Sequence, residues 1–584
     1  MVNQKIHLER VRTKMDEKGL DGLIVKGTDR YLNEYVPTEE STRVWLTGFS
    51  GSTGDAFVTK LHAYLFVDGR YYLQADQEVD SSLWTVIKVP MGTSLQGSLM
   101  EIIFRDFKEG NGRIGVETDR YSVRGFQDLK RQLEGISIGC VPVVPSIVEE
   151  VKGQKDPIRG EVWGIETSLT GRSVEEKLAL VRQTMRSENV DAFICQKLDE
   201  IAYLTNLRGN EMPFQSTFKS VAIVKPNECL VALSGGGARP IKNPSSSIHF
   251  IKDEGWVERL KTTGHFARVG LDPSSATEWT RAALEKEGLI PVPMSSPLVP
   301  LKAKKTKEEM THMIQSFERA DAVVWGAQSW LCKKIEKGIP VTEADFAEKV
   351  YQLFRQSGAW ALSFKVISAA GKNGAVIHHS NPDRKKSIEP GEIMLLDTGA
   401  YYEGGYATDL TRTFLAGPKG VKANSKQRRM FTLVLKGAIA GMSARFPEGT
   451  NGAAVDALVR GPLWEAGYTY NHGTGHGVGI NVHEAPPSLS LHGGYNLEKG
   501  HIFSIEPGIY IPSFGGVRIE NLCTVVEDPQ LAGWLCIVPL TFSPLDERLI
   551  DSAMLTRREK AWLKWYKKES KKKHTQPPKP PVLR

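Results

Sequence analysis

The chain has 584 residues, of which 40% are hydrophobic and 24% are charged, a composition typical of globular proteins with several buried cores. Its polar amino terminus predicts no signal peptide, and it contains no run of about 18 apolar residues that would predict a membrane span. The formal charge is +7, but residues 557–584 alone contain eleven Lys or Arg and two Glu. The remaining chain is close to neutral, so we expect neither a nucleic-acid partner nor a membrane partner.

The six cysteines are scattered along the chain and form no C-x-x-C pair. This spacing argues against a zinc knuckle and against a disulfide framework. We therefore expect a reducing, cytoplasmic compartment.

An internal repeat opens the chain. "LERVRTKMDEKGLDGLIV" (8–25) aligns without gaps on "LALVRQTMRSENVDAFIC" (178–195), and each copy predicts an amphipathic helix that runs into a short apolar strand. Similar strand-like segments follow, "VWLTGF" (44–49) and "IAYLTNL" (201–207). Any helix–strand unit could look like this, but the continued match favours a duplicated α/β domain.

A third region begins after residue 300. An amphipathic helix is predicted from about Lys307, and a second over 342–358, where Thr342 and Asp345 form a capping pattern. Strands and further helices follow up to residue 568. The predicted segmentation is 1–155, 156–300, 301–568 and a Lys- and Pro-rich tail, 569–584, expected to be disordered. The tail could bind RNA, anionic lipid or an acidic partner, although a solvated tail is the simpler interpretation.

Two acidic residues stand out in "GEIMLLDTGAYYEGGYATDLTRTFLAG" (391–417). A hairpin centred on residue 403 would place Asp397 directly opposite Asp409. Two buried, unpaired carboxylates repel one another and therefore need a cation. The alternative is a pair of exposed aspartates that flank a turn.

Two further segments carry candidate ligands. "HIFSIEPGIYIPSFGGVRIENLCTVVED" (501–528) has Glu506 and Glu520 in apolar surroundings, with Arg518 two residues before Glu520; surface salt bridges are the alternative for these glutamates. "NHGTGHGVGINVHE" (471–484) holds three histidines and, by itself, suggests a three-histidine zinc site. Four carboxylates and one imidazole instead suit two oxygen-bound divalent cations and predict hydrolysis.

The five motifs also carry a family resemblance. "LLDTGA", "TDLTRTF", "GTGHGVG", "SIEPGIY" and "VRIEN" resemble, in this order, the dinuclear metallopeptidases of the pita-bread fold (family M24). "WLTGFSGSTGDAFVT", "YLTNLRGNEMPFQSTF" and "SAAGKNGAVIHHSNP" resemble the three-domain Xaa-Pro aminopeptidases (aminopeptidase P) within that family. The resemblance implies an α/β (α+β) protein with two related creatinase-like N-terminal α/β domains, followed by a C-terminal pita-bread catalytic domain.

The resemblance also implies an activity. The expected reaction is hydrolysis of the amino-terminal Xaa-Pro bond of peptides by a hydroxide that bridges two metal ions. The expected cofactors are two divalent ions, Mn²⁺ first, with Co²⁺ and Zn²⁺ as alternatives. A cytoplasmic homodimer acting on peptides with proline at the second position is expected. Proline dipeptidase and a non-catalytic pita-bread binding protein are the rival hypotheses.

Roles for individual residues follow from the same resemblance. Asp397 would chelate one metal, Asp409 and Glu520 would bridge both, and His476 and Glu506 would complete the second site. Glu506 would also handle the proton of the attacking hydroxide.

The remaining residues would face the substrate. His378 would lie beside the proline-side pocket, His483 would hydrogen-bond the scissile peptide as a catalytic group, and His472 would line the pocket. Tyr510 and Arg518 would support substrate binding, with Arg518 orienting a carboxylate. His379 is expected to point away, because neighbouring side chains of a strand face opposite sides.

One departure from the family pattern lies between the two aspartates. The interval from Asp397 to Asp409 is one residue longer than in the family. The turn near Gly404 and Gly405, or a β-bulge, must absorb the extra residue.

Overall fold

The structure, a computed structural model, describes residues 2–108, 110–153, 160–234, 241–253, 255–262 and 268–581. By its internal contacts the chain divides into two units. The first contains Met1–Gly164, Arg172–Pro213 and Thr217–Leu298, and the second contains Ile165–Gly171, Phe214–Ser216 and Val299–Arg584. The predicted domain boundary at 155/156 lies outside the described residues.

The first repeat alternates helices and strands. In chain order its elements are α1 (Val2–Glu17), β1 (Gly22–Val25), α2 (Thr42–Thr47), β2 (Asp55–Thr59), β3 (Ala63–Val67), α3 (Tyr72–Glu78), β4 (Thr85–Lys88), α4 (Leu95–Asp106), β5 (Arg113–Glu117), α5 (Val123–Glu134), β6 (Gly139–Val143) and α6 (Ile147–Lys152).

The second repeat follows the same plan with a few additions. Its elements are β7 (Val162–Gly164), α7 (Thr167–Thr170), α8 (Val174–Ser187), β8 (Ala192–Cys195), α9 (Leu198–Thr205), β9 (Leu207–Gly209), β10 (Ser220–Val224), β11 (Cys229–Leu233), β12 (Ile241–Lys242), β13 (Ile248–Lys252), α10 (Trp256–Thr262), β14 (Arg268–Leu271), α11 (Glu278–Lys286), β15 (Ile290–Pro293) and α12 (Leu298–Ala303).

The two repeats form sheets of identical topology. The strand orders are β4-β3-β2-β1-β5-β6 and β13-β11-β10-β8-β14-β15. In each sheet the first strand in sequence is antiparallel to one neighbour and parallel to the other. The predicted duplication is therefore confirmed in strand order and direction.

Matched residues of the two repeats also make the same hydrogen bonds. Arg12 and Arg182 each donate from Nε to a backbone carbonyl at the end of the adjacent antiparallel strand, at 3.0 and 2.9 Å. Asp21 and Asp191 each accept the first backbone N–H of the adjacent parallel strand, at 3.0 and 3.1 Å. In each repeat, these two hydrogen bonds bind the helix–strand unit to the neighbouring strands of its sheet.

Two segments expected to be strands are short helices. "VWLTGF" and "IAYLTNL" fall mainly in α2 and α9. Each helix ends at a residue with positive φ, Gly48 (76°) and Asn206 (50°). Runs of six or seven apolar residues fit a buried strand or a buried helix equally well, so these caps decide the outcome.

The two repeats meet at an antiparallel bridge between Ser122 and Thr277. Val123, the first residue of α5, donates its backbone N–H to Ala276, two residues before α11, at 2.9 Å. Glu278, the first residue of α11, donates in the same way to Tyr121, two residues before α5, at 3.0 Å. This reciprocal exchange is the pattern of the antiparallel bridge between Ser122 and Thr277, and it joins equivalent positions of the two repeats.

The second unit contains α7 and a long C-terminal part, which after α12 begins with the two predicted helices. Its elements are α13 (Lys307–Glu336), α14 (Glu343–Gln356), β16 (Ala361–Leu362), β17 (Ile367–Ala370), β18 (Ile393–Thr398), β19 (Ala400–Tyr401), β20 (Leu410–Leu415), α15 (Ser425–Met442), β21 (Arg445–Pro447), α16 (Gly452–Glu465), β22 (Gly475–Gly477), β23 (Glu484–Leu489), β24 (Ile502–Ile505), β25 (Gly508–Ile511), β26 (Gly515–Arg518), β27 (Asn521–Glu527), β28 (Trp534–Pro539) and α17 (Arg557–Glu569). The predicted Thr342–Asp345 capping box of α14 is present.

Two larger sheets and the cores packed on them build most of this unit, and the two-stranded sheets β16-β19 and β25-β26 add to it. Helices α13 and α14 pack on the three-stranded sheet β17-β18-β20. Helices α15, α16 and α17 pack on the six-stranded sheet β21-β28-β27-β24-β22-β23. None of the described helices is long and apolar enough to cross a membrane.

The first residues after α17 pack against other residues of the second unit. The ring of His574 stacks on Phe542 with centroids 5.0 Å apart, and its backbone N–H donates to Glu318. This part of the predicted tail is therefore ordered by contacts. Residues 582–584 of the tail lie outside the described residues.

The docking of α17 depends on Trp562, which is fully buried and stacks on Tyr566 with centroids 5.1 Å apart. We expect Trp562→Ala to lower the free energy of unfolding by about 3–5 kcal/mol, because it leaves a large cavity. Trp464→Ala is the control, since Trp464 is 46% exposed, and it should change stability by about 0.5 kcal/mol. Scanning calorimetry compares the two; equal losses would contradict the docking.

Candidate metal centre

The five predicted ligands come from separate strands of the second unit. Asp397 lies within β18, Asp409 directly precedes β20, His476 is the middle residue of β22, Glu506 directly follows β24, and Glu520 directly precedes β27. Strand ends combine a rigid backbone with side chains that can turn toward a common point. The strands that carry the ligands are almost entirely buried.

The hairpin that carries the two aspartates has a different register from the one expected. Asp397 pairs with Thr411, not with Asp409. The same register holds from Ile393 to the bridge between Tyr401 and Ala407, so the ladder has no bulge. The extra residue is taken up by the turn over 402–406.

Helix α13 fixes that longer turn. The backbone N–H of Gly404 donates to His312 Nε2 at 3.0 Å, and the hydroxyl of Tyr406 donates to Glu309 Oε1 at 2.9 Å. A Cβ at position 404 would lie 2.5 Å from the His312 ring, so glycine is required there. These contacts come from a distant part of the sequence and set the hairpin register.

The ligand atoms of three residues converge. One atom each from Asp409, His476 and Glu520 lies within 4.8 Å of the other two. His476 Nε2 is 3.5 Å from Asp409 Oδ2 and 3.4 Å from Glu506 Oε1. Two ligand atoms that each lie about 2.0–2.2 Å from one cation are separated from each other by distances similar to those between His476 Nε2 and these two carboxylate oxygens.

Asp397 provides the clearest test of whether a cation fits. Its Oδ2 accepts from Arg518 Nη2 at 2.7 Å. Its Oδ1 is buried and has no hydrogen-bond partner within the part of the chain that the structure describes. A buried carboxylate oxygen without a partner is costly. A divalent cation would satisfy it, so the residues present fit the metal centre that the sequence predicts.

The electrostatics of the cluster lead to the same conclusion. Burial, followed by the charge of Glu520, raises the pKa of Asp409 and of Glu506 well above the usual range. Burial, followed by the charge of Asp397, raises the pKa of Glu520 to about 8. Carboxylates that repel one another in this way take up protons unless cations neutralise them.

Arg518 and Thr411 connect the carboxylates. Arg518 donates from Nε to Thr411 Oγ1 at 3.1 Å, and Thr411 donates to Glu520 Oε2 at 2.8 Å. Arg518 also donates to Asp397, so it orients a carboxylate as the resemblance implied. The role of Thr411 is missing from the sequence interpretation. Its position two residues after Asp409, on the same strand face, is the signal that could have found it.

A second chain of hydrogen bonds links Arg518 to a histidine. Arg518 Nη1 donates to the Tyr510 hydroxyl at 2.8 Å, and that hydroxyl is 2.9 Å from His472 Nε2. His472 Nδ1 lies 2.7 Å from the Gly473 carbonyl oxygen. The ring therefore donates from Nδ1 and accepts from Tyr510 at Nε2.

The other two predicted histidines lie beside this cluster. The His483 ring is edge-on to His476, with centroids 4.3 Å apart. His378 follows Ile377, whose carbonyl accepts from Arg518 Nη2 at 3.4 Å. The structure thus brings together all the predicted site residues except His378, for which it places the preceding residue against Arg518.

The expectation for His379 rested on the wrong local structure. Residues 377–378 form a turn after a 3₁₀ helix, Gly371–Ala375, and not a strand. Strand alternation therefore does not apply. His379 Nε2 lies 2.9 Å from Glu343 Oε2, at hydrogen-bond distance.

Family models match nearly the whole chain. Metallopeptidase family M24 matches residues 312–527, and the C-terminal region of peptidase M24 matches 533–576. The creatinase/prolidase N-terminal domain matches twice, over 7–150 and 153–309.

Curated relatives also match this chain over nearly its whole length. A probable Xaa-Pro aminopeptidase P of Laccaria bicolor is 31% identical over 97% of this chain and 90% of its own length. One from Coprinopsis cinerea is 32% identical over 97% and 94%. The chain belongs to metallopeptidase family M24. The family resemblance and the predicted fold class are thereby confirmed.

Solved structures agree with this assignment. The crystal structure of X-prolyl aminopeptidase from Caenorhabditis elegans, described as a cytosolic enzyme with a di-nuclear active site, matches with a TM-score of 0.89 and 26% identity, over 98% of this chain and 96% of that one. A prolidase from Pyrococcus horikoshii matches with a TM-score of 0.52 and 24% identity, over 64% of this chain and all of that one. The prolidase therefore shares the fold over about two thirds of this chain.

We expect Asp409→Asn to weaken Mn²⁺ binding by at least about 100-fold, because loss of even an outer contact of a metal ligand typically reduces affinity 10- to 100-fold. Isothermal titration calorimetry of chelator-treated protein measures the change. Glu403→Gln, at the exposed tip of the same hairpin, should bind Mn²⁺ as the wild type does. Unchanged affinity in Asp409→Asn would contradict the assignment of this cluster.

Proposed function

We propose that this chain is a metal-dependent aminopeptidase that hydrolyses the amino-terminal Xaa-Pro bond of peptides. The observation that carries the proposal is the full-length correspondence with aminopeptidase P relatives, which includes both leader repeats as well as the metal centre. Prolyl bonds need a dedicated site, because proline lacks an N–H and has a fixed φ. The three histidines around the carboxylates support such a site.

The proposed roles of the individual residues follow the geometry of the cluster. Asp397, Asp409, His476, Glu506 and Glu520 would hold two divalent cations, which supply an activated water and stabilise developing negative charge when bound. Glu506 would accept the proton of the attacking water and return it to the departing proline nitrogen. Its Oε1 lies 3.3 Å from the hydroxyl of Ser504, which limits the freedom of that carboxylate.

The substrate-facing roles are assigned to the three remaining histidines. His483 would donate to the scissile carbonyl and stabilise the tetrahedral intermediate, while His378 and His472 would line the proline-side pocket. The Tyr510 hydroxyl fixes the ring of His472, and Arg518 fixes both Tyr510 and Asp397. These two residues would therefore act mainly by orienting others.

The finer properties are also proposals. Mn²⁺ is the first candidate for the metal, because oxygen-rich sites with one imidazole suit it better than structural zinc. The cytosol is the proposed compartment, supported by the cytosolic Caenorhabditis elegans relative and by six unpaired cysteines, all among the described residues. A homodimer is proposed from the family resemblance, and light scattering measures it directly.

The test is peptide hydrolysis by Mn²⁺-loaded protein. We expect release of the first residue from an Xaa-Pro-Xaa tripeptide and from longer peptides, and a loss of at least about 100-fold in kcat/KM in Asp397→Ala. Glu403→Gln should retain wild-type kinetics, and Co²⁺- and Zn²⁺-loaded samples rank the metals.

The same assay separates the rivals. Cleavage of Xaa-Pro dipeptides alone would identify a proline dipeptidase. Binding of these peptides without cleavage, at full metal occupancy, would identify a binding protein on the pita-bread scaffold. Equal activity in Asp397→Ala would contradict the proposed site.

A further inference from the structure

A buried carboxylate outside the metal centre gathers four hydrogen-bond donors. Glu343 opens helix α14 and is 2% exposed. Its Oε1 accepts from the backbone N–H of Ala370 at 2.6 Å and from Asn373 Nδ2 at 3.0 Å. Its Oε2 accepts from the backbone N–H of Asp383 at 2.7 Å and lies 2.9 Å from His379 Nε2.

All four donors belong to one segment, residues 370–383. The main chain beside Glu343 also holds the segment, since the N–H of Ala344 donates to the Asp383 carbonyl at 3.0 Å. The Glu343 carbonyl accepts from Ser368 Oγ at 2.8 Å, two residues before the segment. The segment therefore closes as a loop around a single side chain. We name residues 370–383 the anchored loop.

The carboxylate of Glu343 is not needed to cap its own helix. Thr342 and Asp345 form the capping box of α14, with Thr342 Oγ1 accepting from the Asp345 N–H at 3.1 Å and Asp345 Oδ2 accepting from the Thr342 N–H at 2.9 Å. Burying a carboxylate for packing alone is unfavourable. The donor set of the anchored loop is thus the physical reason for a carboxylate at position 343.

The electrostatics show that the carboxylate is ionised in this setting. Burial alone would raise the pKa of Glu343, but the hydrogen bonds from His379, Ala370 and Asp383 outweigh burial and lower the pKa below its usual value. Hydrogen bonds to an ionised acceptor are roughly twice as strong as neutral ones.

The opposite side of the anchored loop rests on the hairpin β25–β26. A Cβ at Gly374 would lie 2.8 Å from the backbone nitrogen of Gly516, and a Cβ at Gly516 would lie 1.8 Å from the Gly374 carbonyl oxygen. The same hairpin carries Tyr510 and Arg518. The loop is therefore held between the Glu343 carboxylate and the strands that orient Asp397.

His378 lies in this loop, next to the residue that pairs with Glu343. We propose that Glu343 and His379 are positioning residues of the peptidase, which fix the anchored loop so that His378 meets the proline side of the substrate. The proposal rests on the proposed function. Under this proposal His379 holds the anchored loop in place. The buried carboxylate of Glu343 then determines substrate binding and not metal binding.

Glu343→Gln is the sharpest variant. A glutamine has the same shape but offers one acceptor oxygen and one NH₂ group, so the donors on the nitrogen side lose their acceptor whichever way the amide is turned. In Mn²⁺-loaded protein we expect kcat/KM for an Xaa-Pro-Xaa peptide to fall about 10- to 100-fold, mainly through KM, because small displacements of a binding group have effects of this size.

Two further measurements separate positioning from general damage. Metal content, measured by mass spectrometry, should equal that of the wild type. Amide hydrogen exchange over residues 370–383 should become faster. Asp345→Asn is the matched control, because it removes an exposed acidic side chain from the same helical turn without touching the loop. It should keep wild-type kinetics and exchange.

Substitution of His379 tests the proposal if Glu343→Gln fails to fold. His379→Ala removes one of the four donors, and we expect a several-fold rise in KM. His379→Gln restores an N–H donor and should recover most of the loss, a rescue that a general folding defect would not show.

The outcomes are distinguishable. Folded Glu343→Gln with wild-type KM, or His379→Ala and His379→Gln with equal effects, would overturn the positioning role while leaving the peptidase intact. A fall in activity that matches a fall in metal content would also overturn it. Wild-type protein that leaves every Xaa-Pro peptide intact would overturn the proposed function, and the positioning role with it.

Discussion

The repulsion among four carboxylates, three of them buried and one, Glu506, half-buried, is the constraint on which the second unit depends. At an effective dielectric constant of about 20, two unit charges 4 Å apart interact by about 4 kcal/mol. Arg518 offsets part of this repulsion at Asp397. Asp409, Glu506 and Glu520 have raised pKa values because burial and their neighbours disfavour the charged state. Divalent cations convert this unfavourable cluster into a stable one, so metal binding and stability of the unit are coupled.

The architecture meets this constraint by placing each of the four carboxylates at a strand end or within the fully buried β18, and His476 at the centre of the short strand β22. Apolar strands supply rigidity, and hydroxyl groups between the ligands fix their orientation. Thr411 links Glu520 to Arg518, and Ser504 accepts the N–H of His476 at 3.1 Å while donating to Glu506. The carboxylates and the imidazole are thus prearranged by neutral groups that add no charge to the site.

The sequence predicted the duplicated repeats and the capped helices, and it identified the acidic residues and histidines that the structure brings together, because each depends on local chemistry or on a repeated pattern. It did not predict the features that depend on contacts between distant segments. The register of the aspartate hairpin is set by His312 and Glu309 of α13, more than 90 residues away. The position of His379 is set by Glu343, 36 residues away. Short apolar runs such as "VWLTGF" are ambiguous without knowledge of their caps.

The leader repeats show why only part of a duplication remains visible in sequence. Arg12 and Asp21, like Arg182 and Asp191, act through side chains that bind the same backbone groups in both copies, so their identity is constrained. The antiparallel bridge between the copies is made by main-chain hydrogen bonds, in which Val123 and Glu278 hold equivalent places. A backbone N–H is the same in both residues, so the symmetry persists although the side chains differ. Comparison of sequences therefore detects the helix–strand unit at 8–25 and 178–195, whereas only the structure reveals the symmetric pairing of the two repeats.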